Sequence, residues 1–296
     1  MESNSIVVVG SCMIDFTSYC PRLPKEGETI HGSEFKTAFG GKGGNQCVAS
    51  AKLGGNTTFI ARVGSDSWGK QYLENLKSLK VNSDFVQITP NSTTGIAQIN
   101  VASSGANQIV IIAGANNQLQ EQDVIKAREK IEKADVLVCQ LETLPEISIL
   151  NGAPALSNCD TKLFTLPTIF CVNESEASVF ANCPVKSLQD AKNAIDVLLS
   201  KGCNTVILTM GSEGSLLASK SSPTPKHIPT RSVECVDSTG AGDAFIGALA
   251  YLLANQKDCD LEKGIEFANY VAADSVTRLG TQISFPEMEI LQRFTF

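Results

Sequence analysis

Only two histidines, His31 and His227, occur in the 296 residues, and neither sits at metal-ligand spacing. Imidazole catalysis and a zinc centre are therefore poorly supplied. Ten cysteines are scattered without a C-x-x-C pair, and several fall in apolar runs, as Cys139 does after Val136-Leu137-Val138. That is the usage of small buried hydrophobes in a reducing compartment, not of a disulfide framework. No apolar run could span a bilayer, and Ile6 to Val9 is too short for a signal peptide. The expected location is cytoplasmic, with the nucleus also open. There is no surplus of positive charge either: the net charge of −7 disfavours a general nucleic-acid surface. Repeats and low-complexity tracts do not occur. An apolar share of 43 % at this length fits a single α/β domain over 1–296, with room for a small appendage.

Hydrophobic periodicity divides the chain into alternating elements. Ile6-Val7-Val8-Val9-Gly10 reads as a buried strand, Asn45 to Leu53 as a helix closed by Gly54-Gly55, Thr57 to Val63 as a strand and Trp68 to Lys80 as a helix. Further on, the spacing predicts a helix over Gln120 to Lys133, strands over Asp135 to Gln140 and Thr168 to Val172, a helix over Leu188 to Lys201, a strand over Thr205 to Thr209 and a last helix over Leu261 to Arg278. Such alternation implies a mainly parallel sheet covered on both faces, with ligands outside the carboxyl ends of its strands. Asp15, Glu142 and Gly211 fall at such ends. Two stretches, within about 14–40 and 94–113, alternate in short extended pieces and predict a separate small antiparallel sheet. Between Leu141 and Ile169 there is no convincing helix, only the short run at 147–150 and three prolines. A parallel crossover ordinarily needs at least ten to twelve residues.

Two glycine-rich turns carry the chemistry. Asp237-Ser238-Thr239-Gly240-Ala241-Gly242-Asp243 runs into Phe245, Ala248, Leu249 and Leu252, whose spacing is helical. The amides at a helix start are unpaired and carry partial positive charge, so this turn can cradle a phosphate-sized anion. A carboxylate in the same turn adds a proton acceptor, which phosphoryl transfer to a hydroxyl requires, although Asp243 could equally serve only the helix terminus. Gly40-Gly41-Lys42-Gly43-Gly44-Asn45-Gln46 opens the earlier helix. Gly43 excludes a P-loop, and Gln46 and Phe245 exclude a dinucleotide fingerprint. Asn173-Glu174-Ser175-Glu176 follows a strand and is open to two readings, a capping box or an organiser of Mg²⁺ and its waters.

Taken together, the turns at 40–46 and 237–243 resemble the two signatures of the ribokinase (PfkB-type) carbohydrate kinases. Val9 to Asp15, Leu23 to Thr29, Gln140-Leu141-Glu142, Asn173 to Glu176 and Thr277 to Gln282 are similar to that family in order and separation. The resemblance implies a ribokinase-like three-layer α/β/α fold, with a mainly parallel central sheet and a small β-sheet lid. It implies ATP-dependent phosphorylation of D-ribose at the 5-hydroxyl. Asp243 would be the base, ionised at neutral pH, and the amides of Gly240, Ala241, Gly242 and Asp243 the anion hole. Ser11, Met13, Asp15, Gly41, Lys42, Asn45 and Glu142 would meet the sugar. ATP would lie along Asn173, Thr209, Gly211, Ser212, Gly214 and Gly242, with Asn269 near the adenine. Glu176 would place Mg²⁺ through water. A K⁺ site would fall at Asp237, Thr239, Ser275, Arg278, Gly280 and Ser284, and the lid would pair two subunits into a homodimer.

One departure from the family stands out. Asn151-Gly152-Ala153-Pro154 begins only nine positions after Glu142, where ribokinases carry a helix and a strand between the two. The crossover within 142–168 is thus expected to be shortened. A kinase for another sugar or a nucleoside, and a non-catalytic relative disabled by this shortening, remain as alternatives.

Overall fold

A computed structural model describes residues 4–140, 148–153, 155, 159–256 and 260–295. Its strands are β1 (Ser5–Val9), β2 (Met13–Cys20), β3 (Glu34–Gly40), β4 (Asn56–Gly64), β5 (Asn82–Thr89), β6 (Gly95–Ala102), β7 (Asn107–Ile112), β8 (Val136–Cys139), β9 (Ser148–Asn151), β10 (Ile169–Asn173), β11 (Thr205–Thr209), β12 (Ser215–Ser219) and β13 (Lys226–Ile228). The helices are α1 (Lys42–Lys52), α2 (Ser67–Ser78), α3 (Glu121–Lys126), α4 (Arg128–Glu132), α5 (Lys162–Thr165), α6 (Glu174–Ala181), α7 (Leu188–Ser200), α8 (Ala241–Asn255) and α9 (Leu261–Ser275).

The large sheet has the order β13-β12-β11-β10-β9-β8-β1-β4-β5 and is parallel from β11 through β5. Only β12 runs against the others, pairing antiparallel with both β11 and the edge strand β13. Successive strand residues face opposite sides, so β1 is apolar throughout because both of its faces are covered. Ile6 and Val8 pack into one core with α1, α2, α8 and α9. Val7 and Val9 pack into the other with α4, α6 and α7. The chain leaves β1 towards β4 and β5, then returns on the other side through β8. A crevice outside the carboxyl ends of the strands follows from that reversal.

The structure corrects two expectations. The small sheet, in the order β3-β2-β6-β7, is mixed and not antiparallel, since β2 pairs β6 in parallel from Met13↔Gly95 to Cys20↔Ala102. The helix expected over 120–133 is two short helices. At Ala127 the amide bonds back to Val124, an i→i−3 contact that interrupts the α-helical ladder. β8 and β9 are parallel neighbours, paired from Leu137↔Ser148 to Cys139↔Leu150. Residues 140–147 connect them, of which 141–147, including Glu142, lie outside the described residues. Among the described residues no helix is long and apolar enough to cross a membrane.

Candidate active site

α1 and α8 bring the two glycine-rich turns to one point. Asn45 meets Asp243 and, one turn further along both helices, Ser50 Oγ donates to the Gly247 carbonyl at 2.6 Å. Both helices therefore advance in the same direction from a common end, and their positive termini converge there. Glycine permits this approach: a Cβ on Gly43 would stand 2.7 Å from the Gly10 backbone at the tip of β1. Gly240, the N-cap of α8, has φ +79°, a left-handed conformation that admits few other residues.

Asp243 stands in this junction and is 7 % exposed. Each of its oxygens receives one amide: Asn45 Nδ2 donates to Oδ2 and Gln46 Nε2 to Oδ1, both at 2.9 Å. Burial pushes the pKa of Asp243 up, while Lys42 and the two amide donors pull against that rise. The helix termini alone are thus an incomplete account of its charge. Asp15 lies on β2, in the small sheet, and not in a loop beyond β1. Its pKa is raised to about 6, first by burial and then by the negative charge of Asp243. Two carboxylates from opposite ends of the chain therefore stand within electrostatic reach of each other, and Lys42 within reach of Asp243.

A cavity of about 140 Å³ opens against this point, lined among others by Lys42, Asn173, Glu176, Thr209, Gly240 and Asp243. Ala241 and Gly242 line it too, and an added Cβ on Gly242 would meet nothing within 4 Å. Glu176 and Asn173 form the capping box of α6: Asn173 Oδ1 accepts from the Glu176 amide at 2.9 Å, and Glu176 Oε2 from the Asn173 amide at 3.0 Å. The same two residues line the cavity, so their capping role does not withdraw them from it. Burial raises the pKa of Glu176.

The other expected residues divide clearly. Ser11 accepts the Gly44 amide and Gly41 the Asn45 amide through their carbonyls, which ties the tip of β1 to the start of α1. Met13 begins β2 two residues before Asp15. Gly211 and Ser212 belong to a short 3₁₀ turn after β11, capped by Gly214. Asn269 is not brought to the cavity. It is buried, with Oδ1 accepting Ser215 Oγ at 2.8 Å and Nδ2 donating to the Ile228 carbonyl at 3.1 Å. On the far side of Gly240, Asp237 Oδ1 caps the Thr239 amide and Oδ2 the Gly280 amide, which joins the two expected cation-binding segments. Ser275 closes α9 through Oγ to the Ala272 carbonyl. The Arg278 guanidinium donates twice to the Ser284 carbonyl and pairs with Asp274. Among the described residues no group of three or more His, Cys, Asp or Glu side chains is placed to hold a metal ion.

Sequence reasoning assigned no role to Gln46, Tyr72, Asn116 or Gln282. Asn116 clamps Cys12 between the sheets, accepting its amide at 2.8 Å and donating to its carbonyl at 2.7 Å. Gln46 and Gln282 stand inside the quoted motifs, but only the fold reveals their partners.

The pfkB family carbohydrate kinase profile matches residues 3–288. The chain belongs to this family. It is 45 % identical to the ribokinase of Mus musculus over 96 % of this chain and 93 % of that protein. It is 36 % identical to the deoxyribokinase of Salmonella typhi, over 96 % of both chains. The solved structure of Arabidopsis thaliana ribokinase complexed with ribose and ATP superposes with a TM-score of 0.86 at 28 % identity, covering all of both chains. The protein is thus a phosphotransferase with the ribokinase-like α/β fold.

Proposed function

We propose that this enzyme transfers the γ-phosphoryl group of ATP to the 5-hydroxyl of D-ribose. The observation that carries the reading is the Asp243 carboxylate, set where the N-termini of α1 and α8 converge beside Lys42 and a cavity. Asp243 takes the proton of the 5-hydroxyl, and the sugar oxygen forms its bond to the γ-phosphorus. The bond to the β-phosphate oxygen breaks and ADP leaves. The first amides of α8 and the Lys42 ammonium offset the charge on the phosphoryl in transit, so positioning and electrostatics do most of the work.

Asp15, Asn45, Gly41, Lys42, Ser11 and Met13 surround the sugar; Glu142, which the family resemblance adds to this set, lies outside the described residues. A carboxylate accepting two hydrogen bonds suits adjacent ribose hydroxyls. Asn173, Thr209 and the 211–214 turn follow the nucleotide, while Asn269 supports that side by pinning α9 to β12 and β13. Mg²⁺, held through water near Glu176, would neutralise phosphate charge. The oxygens of Asp237, Thr239, Ser275, Arg278, Gly280 and Ser284 form a hard donor set suited to K⁺. In the present arrangement Arg278 already occupies the Ser284 carbonyl. The small sheet closes over the sugar as a lid and excludes water. Its edge strand β7 exposes Ile109, Val110, Ile111 and Ile112, an apolar row that fits a second copy in a homodimer. A cytoplasmic setting accords with the free cysteines among the described residues.

ADP release with ATP, Mg²⁺ and K⁺ tests the substrate. Ribose should give the highest kcat/KM against 2-deoxyribose, fructose and adenosine. The Salmonella relative makes 2-deoxyribose the rival to measure first. Higher kcat/KM with any of the three would displace ribose, and no turnover from a folded, ATP-binding sample would favour a non-catalytic protein.

A further inference from the structure

The Asp243 carboxylate is the last acceptor in a chain of side-chain hydrogen bonds whose direction is set elsewhere. The Gly40 carbonyl can only accept, so Tyr72 donates its hydroxyl to it, at 2.7 Å. The Tyr72 oxygen then accepts from Gln282 Nε2 at 3.4 Å, which turns the amide nitrogen of Gln282 inward. The same Nε2 donates to Asn45 Oδ1 at 3.1 Å, and Asn75 Nδ2 holds the other end of the amide by donating to Gln282 Oε1 at 3.1 Å. With its oxygen engaged, Asn45 must present Nδ2 to Asp243. Tyr72 is fully buried, and Gln282 and Asn45 nearly so, so water offers little alternative pairing.

We propose that Gln282 is a positioning residue that fixes the amide of Asn45 so that a donor, and never an acceptor, faces Asp243. This rests on the assignment of Asp243 as the base. Without Gln282, Asn45 can turn its carbonyl oxygen towards the carboxylate, which disfavours the ionised form that accepts the sugar proton. Gln140 and Gln46 make a similar arrangement on the other oxygen, where Gln140 Nε2 donates to Gln46 Oε1 at 3.2 Å. The charged groups facing Asp243 are Lys42 on α1, Asp15 on β2 and Glu176 on α6. None of them is altered by changing residue 282.

The test is the pH dependence of kcat at saturating ribose and ATP, which reports groups as they titrate in the ternary complex, where Asp15 is already engaged by ribose hydroxyls. Gln282→Met keeps length and neutrality while removing both donor and acceptor. It should move the acid limb of kcat up by roughly one pH unit, so that kcat falls by about tenfold at pH values below the limb and little on the plateau, with KM for ATP unchanged. Asn75→Ala, at a half-buried position on α2, should move the limb the same way by less and decides the matter if Gln282→Met does not fold. An acid limb unmoved in the folded variants overturns the positioning role. Near-normal kcat in Asp243→Asn is a different result: it overturns the base assignment and this proposal with it.

Discussion

Asp15 carries a cost in the free enzyme that the proposed contact with ribose would explain. Its pKa stands at about 6 against an ordinary carboxylate value of 3.8, because burial and Asp243 both oppose its charge. A carboxyl group whose folded value exceeds its unfolded one favours the folded state fully below the unfolded value, and that contribution disappears as pH rises through the folded value. Between about pH 4 and 6 the wild type therefore gives up stability that a neutral side chain would keep. Asp15→Asn should raise Tm at pH 8, leave it nearly unchanged at pH 4, and weaken ribose binding. Melting curves at both pH values with calorimetric titration of ribose check this, and an equal Tm difference at the two pH values would contradict it. Asp243 was legible in the sequence because it stands in a glycine turn at a helix start, and Asp15 because it follows the carboxyl end of a buried strand. Gln282 and Tyr72 were not, since a buried amide or hydroxyl acquires meaning only from partners such as Asn45, 237 residues away for Gln282.

At the scale of elements, α8 shows how local sequence can place function. The turn at Gly240 and the apolar spacing after it put the helix start where Ala241 begins it, and Thr205–Thr209 is a strand with the expected bounds. Periodicity and capping are local properties, which is why these elements could be read. The parallel pairing of β2 with β6 joins segments 82 positions apart, as in Met13↔Gly95, and alternation carries no sign of strand direction. The interruption at Ala127 has no glycine or proline to announce it. Within α8, Gly242→Ala separates helix from site. Alanine is favoured over glycine in a helix by about 0.8–1 kcal/mol, and the added methyl meets no protein atom within 4 Å. The variant should melt no lower than wild type, yet lose turnover of about tenfold or more as the methyl enters the phosphoryl's space. Unaltered kcat and KM for ATP would show that the anion does not lie over Gly242.

Across the whole molecule, the proposed mechanism takes the nucleotide side from one sheet and Asp15 from the other, so catalysis would depend on how the two meet. The exposed row on β7 is where a second copy would hold the small sheet. Ile111→Lys, at a position 61 % exposed, should leave Tm within a few degrees and shift sedimentation from dimer towards monomer. A wild-type chain that sediments as a monomer at every concentration would remove the homodimer. The central claim, that Asp243 is the base of a ribose kinase, is tested most directly by Asp243→Asn, with kcat measured beside the affinities for ribose and ATP. Amide replaces carboxylate at nearly constant shape, so both ligands should still bind while kcat falls by roughly 10²–10⁴-fold. A variant that binds both and turns over at close to the wild-type rate would contradict the account.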